Sequence, residues 1–322
     1  MKQTERQFVE RLRALASRHA GASAGAMRLL RGIGDDCAVF SLARSRRTDL
    51  LVTTDLSLEE IHFRLSWQPP ASIGHKVLAR GLSDIAAMGG APRYAFLSLA
   101  LPRRAGAKWI SEFLRGLLQL AKASGVVLAG GDTSASRSGI VADIVVIGEV
   151  PHNAAVLRSG ARPGDEIWVS GALGGAALAL ATLRKRPRGL LAATTLQPLF
   201  YPQPRLRLGR TLRERKLVSA MIDLSDGLSI DLARLCRESA VGARIETAAI
   251  PRAPQTPLRL ALHGGEDHEL LFTVPRQRAH LLPKRVAGVP LTRIGRIVRG
   301  GGLVQVRGGK ELPLPVLGFE HF

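Results

Sequence analysis

Apolar positions change period several times along the chain, and each change marks an element. Phe8, Leu12 and Leu15 recur at helical spacing and predict a helix over residues 3–19. Short apolar runs predict strands at Cys37–Phe40 and Asp49–Leu56. Val77, Ile85 and Met88 place a helix over residues 71–88. Tyr94–Leu101 reads as a strand ended by Pro102, and residues 106–123 as a helix. Val126–Ala129 and Ile140–Val150 read as strands, the second a near-continuous apolar run broken by Asp143. From Pro151 to Gly164 the periodicity disappears into Pro, Gly, Asn and Arg, as in an interdomain connection. Beyond it come a strand at Glu166–Ser170, a helix from about Gly174, an Arg- and Pro-rich loop and a helix after Pro204. Met221–Leu224 is a strand, and Leu228, Leu232 and Leu235 mark the next helix. Strands at Leu270–Val274, Thr292–Val298 and Leu303–Val306 complete the pattern. The alternation is α/β or α+β, with no repeat at solenoid periods. A chain of 322 residues can bury two cores, here divided as 1–150 and 151–322.

Composition adds few constraints. Two cysteines, Cys37 and Cys236, cannot make a disulfide framework and suit a reducing cytoplasm. Met1 to Arg6 lead into an amphipathic helix, without an apolar signal core, and no apolar run reaches membrane-span length. The formal charge of +20 raises nucleic acid as a partner. Its carriers are mostly scattered arginines, however. The small clusters, Arg44 with Arg46 and Arg47, and Arg184 to Arg188, read as loops from the sequence and have no interleaved aromatics. No helix-turn-helix, zinc-finger or RNA-binding signature occurs. The favoured reading is a solvated basic surface that also attracts anionic substrates.

Against that basic background the acids are concentrated. Of twelve aspartates, seven fall in five short motifs. These are Gly32-Ile33-Gly34-Asp35-Asp36, Thr53-Thr54-Asp55, Leu82-Ser83-Asp84, Gly130-Gly131-Asp132-Thr133 and Ile222-Asp223-Leu224-Ser225-Asp226-Gly227. An eighth lies in Gly264-Gly265-Glu266-Asp267. Two carboxylates about 4 Å apart repel by roughly 4 kcal/mol at an effective dielectric of about 20. A fold that gathers several needs cations, and oxygen-only ligands point to Mg²⁺ shared with substrate phosphates. The pattern reads as a multi-metal site for a nucleotide.

Each motif also has a plainer explanation. Gly-x-Gly is weak alone, and adjacent aspartates are common in turns. Thr53, Thr54 and Asp55, read as a strand terminus, could be a cap. His62 could be structural, and Arg158 an exposed linker arginine. Asp84, in a helix among apolar neighbours, is costly unless paired or metal-bound. Gly130 and Gly131 after a buried strand suit close approach to an anion. Ser225 or Asp226 could simply cap a helix, or that helix N-terminus could face a phosphate. Together the motifs are hard to explain as separate turns. No P-loop, protein-kinase set, zinc spacing or nucleophile elbow is present.

The motif set, in this order from Gly32 to Phe319, resembles the thiamine-monophosphate kinase family, part of the aminoimidazole ribonucleotide synthetase-like superfamily. Further matching segments are His62-Phe63, Arg158-Ser159-Gly160-Ala161 with Pro163-Gly164-Asp165, and the run continuing to Glu269-Leu270. The resemblance implies a two-domain fold whose N-terminal sheet pairs with that of a second subunit in a barrel-like homodimer core. Its C-terminal domain would be an α/β sandwich. It implies that Asp36, Thr53, Thr54, Asp55, Asp84, Asp132, Asp223 and Asp226 hold several Mg²⁺ ions, with Asp35 the neighbour of one ligand. Gly131, Asp132, Arg158 and Ser225 would contact ATP, and His62, Glu266 and Phe319 thiamine monophosphate. Asp36, Asp55, Asp84, Asp132 and Asp223 would be the catalytic set. Gly81 stands where the family often has Asn, Glu60 for a common Gly, His268 for Tyr, and Phe319 for Trp or Tyr.

The implied reaction moves the ATP γ-phosphoryl group directly to thiamine monophosphate. The acceptor's second pKa is about 6, so no strong base is required. The difficulty is electrostatic, and metal ions answer it. Two rivals are weighed. Within the superfamily, selenophosphate synthetase usually carries a reactive Cys or Sec in an N-terminal Gly-rich segment, and a hydrogenase maturation enzyme carries a C-terminal cysteine. Here none precedes Cys37, and the chain ends Gly318-Phe319-Glu320-His321-Phe322. A basic nucleic-acid binder is disfavoured because carboxylate clusters repel a phosphate backbone.

Overall fold

The computed structural model describes residues 4–19, 27–42, 45–185 and 192–321. Arg44 of the first basic cluster, and Arg186 and Arg188 of the second, lie outside the described residues. Helix α1 (Glu5–His19) precedes three strands, β1 (Met27–Arg31), β2 (Ala38–Leu42) and β3 (Ser45–Leu58). Helix α2 (Pro70–Ala87), β4 (Ala91–Leu101), α3 (Ala107–Ser124), β5 (Val127–Ala135) and β6 (Val141–Pro151) follow. These strands form one sheet in the order β1-β2-β3-β6-β4-β5, with only β4 and β5 parallel.

The second half contains β7 (Glu166–Ser170), α4 (Gly175–Leu183), α5 (Ala193–Phe200), α6 (Leu206–Glu214), β8 (Ala220–Leu224), α7 (Leu228–Glu238) and β9 (Gly242–Glu246). It ends with α8 (Leu258–His263), β10 (Glu269–Val274), β11 (Arg285–Val286), β12 (Val289–Val298), β13 (Leu303–Arg307) and β14 (Lys310–Pro313). Its sheet runs β14-β13-β9-β12-β7-β10-β8, with β11 paired to β12. The expected α/β two-sheet architecture is present.

The two sheets differ in how their faces are covered. In β6, Ala142, Ile144, Val146, Gly148 and Val150 are buried at every second position, the period-2 signature of a one-sided sheet. That face carries α2, whose side chains are buried along nearly its whole length. Helices of this kind are enclosed on all sides. The opposite face is open: Tyr94 pairs with Val127 and Ile147 across the strands, and Tyr94 and Val127 are half-exposed. Strands β8 and β10 of the second sheet are buried throughout.

Helix α2 also joins the halves, because Ala86 and Ala87 share an apolar cluster with Leu208, Leu212, Leu270 and Phe272. Gly81 of α2 has its cause here. A Cβ at that position would lie 2.7 Å from Val146 Cγ2, so the residue lets the helix seat directly on β6.

Two local expectations are corrected. Thr53-Thr54-Asp55 does not end a strand, because β3 continues to Leu58 through pairing of Leu56, Ser57 and Leu58 with β6. Gly130 to Thr133 is not a turn but the middle of β5, in register with Phe96 to Leu99 of β4. A Cβ on Gly131 would lie 1.8 Å from the Leu97 carbonyl oxygen, so this glycine is required by strand packing. Strands β1, β9 and β14 and helices α5 and α8 carry no periodic signal long enough to announce them.

Candidate active site

Four carboxylates from four segments converge where α2 passes between the sheets. Asp84 is on α2, Asp55 on β3, Asp223 on β8, and Asp36 on the glycine-marked loop before β2. Ligand oxygens of Asp36, Asp84 and Asp223 all lie within 4.8 Å of one another. Neighbouring hydroxyls hold the carboxylates in place. Thr53 Oγ1 donates to Asp84 Oδ2 at 2.5 Å, and Ser83 Oγ donates to Asp223 Oδ2 at 2.7 Å. Arg158 Nη2 donates to Asp36 Oδ1 at 2.8 Å, and Arg80 Nη2 to Asp55 Oδ1 at 3.1 Å. Four acids therefore face two guanidinium groups, leaving an excess of negative charge in a buried place.

That excess shows in the protonation equilibria. Burial, then Asp55, Asp223 and Asp36, pushes Asp84 well above the ordinary carboxylate range. Burial pushes Asp36 up to about 6 against the opposing pull of Arg158. Asp55 is raised by burial, which Arg80 only partly offsets. Carboxylates that compete for protons in this way are suited to a divalent cation. The donors are all oxygen, which fits Mg²⁺ rather than a softer metal.

A cleft of ≈ 520 Å³ opens from this cluster and runs toward the C-terminal tail. Asp55, Asp84, Asp223, Ser225 and Asp226 line it together with His62, Glu266, Phe319 and His321. His62 Nδ1 accepts from the Leu58 amide at 3.0 Å. Its ring centroid is 5.1 Å from His321 and 6.3 Å from Phe319, and those two rings meet edge-on at 4.8 Å. Burial, then Arg80, lowers His62 to about 4. Glu266 pairs with Lys76, whose ammonium also donates to the His62 carbonyl at 3.0 Å.

Three non-glycine residues with positive φ lie at the same place. Glu60, Glu266 and His268 have φ of 69°, 69° and 49°, the left-handed region that favours glycine. Glu60 thus keeps a glycine-like conformation where the family often has Gly. His268, the replacement for Tyr, is buried 3.7 Å from Asp223, and both its ring nitrogens lack a hydrogen-bond partner among the described residues.

The remaining motif residues fall into three groups. Asp35 accepts the Arg158 amide at 2.7 Å and so positions that residue. Asp267 accepts the Gly174 amide at 2.7 Å at the start of α4, as a cap. Burial nonetheless lifts it to about 8. Asp231 accepts the Asp226 and Gly227 amides at 3.1 and 3.0 Å, so the α7 N-terminus is internally capped. Asp226 faces the cleft but is held by Arg234 at 2.5 Å. The third group stays apart. Gly131 and Asp132 are exposed on the edge strand β5, and the Thr54 hydroxyl donates to Asp143 on the open face at 2.8 Å.

Sequence reasoning missed Lys76, Arg80, Ser83, Asp231, Arg234 and His321. One signal was available: Lys76, Arg80 and Asp84 are spaced by four in an otherwise apolar helix, which places them on one face.

Comparison with known proteins completes the description. Residues 34–150 match the AIR synthase related protein N-terminal domain, and residues 162–306 the corresponding C-terminal domain. The chain is 38% identical over 305 residues to the thiamine-monophosphate kinase of Escherichia coli (strain K12), covering 90% of this chain and 91% of that protein. Among solved structures it is similar to AaThiL complexed with AMPPCP and TMP (TM-score 0.83, 28% identity, covering 100% and 99% of the two chains). It is also similar to the thiamine-monophosphate kinase of Stenotrophomonas maltophilia K279a (TM-score 0.74, 34% identity, 92% and 94%).

Proposed function

Because this chain belongs to the thiamine-monophosphate kinase family of AIR synthase related proteins, we propose that it transfers the γ-phosphoryl group of ATP to thiamine monophosphate. The products are thiamine diphosphate and ADP. One observation carries the reading: a single cleft joins the four-carboxylate cluster to the ring wall of His62 and Phe319. AaThiL with AMPPCP and TMP supports the same pair of ligand classes.

Asp36, Asp55, Asp84 and Asp223, with Thr53, are the residues that would hold Mg²⁺, and Asp226 closes the set. Bound there, the ions supply neutralisation of the two phosphate groups and of the charge that develops between them. The chain's own residues do the rest. Arg158, placed by Asp35 and Asp36, contacts the nucleotide together with Ser225 on the β8–α7 turn. His62 and Phe319 face the substrate rings, and an aromatic face attracts the cationic thiazolium. Glu266, fixed by Lys76, accepts from the substrate. No side chain needs to remove a proton, because at neutral pH the acceptor phosphate is mostly a dianion.

Residues 1–150 form the nucleotide, Mg²⁺ and dimerisation portion of this proposal, and 151–322 the portion that closes the cleft. A second copy would cover the open apolar face around Tyr94 and Val127, completing a homodimer. Asp132, Gly131 and Thr54 would act at that rim, the first and last as further ligands and Gly131 toward ATP. We propose a cytoplasmic location for this reaction.

The direct test is incubation with ATP, Mg²⁺ and thiamine monophosphate, with products separated by chromatography. Equal amounts of thiamine diphosphate and ADP, both abolished by EDTA, are expected. ATP hydrolysis without thiamine diphosphate would overturn the assigned acceptor.

A further inference from the structure

The cleft contains a cation that the motif pattern did not require. Arg80 lies on α2 one turn from Lys76 and one turn from Asp84, and it lines the cleft along with the rings and the carboxylates. Its Nη2 is anchored on Asp55, but its Nη1 is buried with no hydrogen-bond partner among the described residues. A buried donor left unsatisfied is costly and calls for an acceptor.

A second donor is in the same condition. The Leu58 amide donates to His62 Nδ1, so the neutral ring carries its proton on Nε2. That nitrogen, too, is buried without a partner among the described residues. Both residues line the cleft, and Arg80 is close enough for its charge to depress the His62 pKa. As a guanidinium, Arg80 is a permanent cation.

We propose that Arg80 binds the phosphate of the acceptor substrate, with Nη1 as the donor and Asp55 fixing the guanidinium plane. This rests on the kinase reading and adds a residue to it. A phosphate monoester whose rings meet His62 and Phe319 shares its cleft with Arg80, Asp55 and Asp84. A guanidinium is matched to two phosphate oxygens. The residue therefore selects for the phosphorylated vitamin over the free alcohol.

The test is calorimetric titration of the full chain with Mg²⁺ and without ATP, comparing thiamine monophosphate with unphosphorylated thiamine. Wild type should prefer the monophosphate. Arg80→Met should lose about 10- to 100-fold in monophosphate affinity, the range for a charge-assisted bond, while thiamine binding changes less than about twofold. Arg80→Lys, which keeps the charge and loses the fork, should recover part of the loss and serves if the methionine variant does not fold. Monophosphate affinity within about twofold of wild type, or equal losses for both ligands, would overturn the proposal. A shift in Mg²⁺ requirement alone would likewise overturn it, leaving Arg80 as a counter-charge for Asp55. Wild type that prefers the monophosphate yet forms no thiamine diphosphate with ATP would sink the kinase reading and leave the phosphate contact supported.

Discussion

Asp223 and Asp132 follow similar strand-like stretches in sequence and have opposite surroundings. Asp223 lies on β8, whose five residues are all buried, and shares its space with Asp36 and Asp84. Asp132 lies on β5, exposed along nearly its whole length at the edge of the other sheet. A carboxylate motif marks a place where a cation can bind; the sheet around it decides whether the charges must be neutralised for the chain to fold. The cleft cluster is under electrostatic load even without ligands, and the β5 aspartate is not part of that cluster.

The largest effect that would sharpen this contrast is on turnover. Asp55→Asn should cut kcat by about 100-fold or more while leaving the circular dichroism of the folded protein unchanged. Near-normal turnover at saturating Mg²⁺ would remove Asp55 from the catalytic set.

An intermediate effect is on stability without metal. A carboxyl whose folded pKa is raised contributes stability fully below its unfolded value of about 4, and loses it as pH rises through the folded value. For Asp36 that window closes at about 6, and Asp84 shifts in the same direction. Metal-free protein should therefore melt at progressively lower temperature as pH rises from about 4 past 6, and Mg²⁺ should restore the loss. Asp84→Asn should raise the metal-free midpoint at neutral pH by about 2–4 °C and blunt the response to Mg²⁺. A lower midpoint for this variant would mean that the cluster is not repulsive.

The smallest effect is expected at the edge strand. Asp132→Asn should change metal-free stability by less than about 0.5 kcal/mol, as for other exposed positions, while still lowering activity. A stability change as large as that of Asp84→Asn would erase the distinction between the two regions.

Which parts of this were legible in the sequence follows from the range of the forces involved. The 3.6- and 2-residue periods of α2, α3 and β6 are local, so those elements stand out with small errors at their ends. Short elements such as β9 and α8 owe their existence to neighbours, because their few residues carry no period of their own. The clustering of Asp36, Asp55, Asp84 and Asp223 was readable because acid gathered at motifs in a chain of charge +20 demands an explanation. Arg80, Lys76 and Ser83 were harder to read, since each looks ordinary until α2 turns it toward the cleft.

The sequence by itself determined the order of the long periodic elements and the acidic chemistry, since these depend on residue type and spacing within a few turns. Only the tertiary structure decided which carboxylates share one space. That choice rests on β3, β8 and the loop before β2 meeting α2, residues nearly two hundred positions apart brought together by burial of apolar surface. The same packing placed Asp267 at a helix cap, turned Thr54 to the open face, and left the Nη1 of Arg80 waiting for an acceptor.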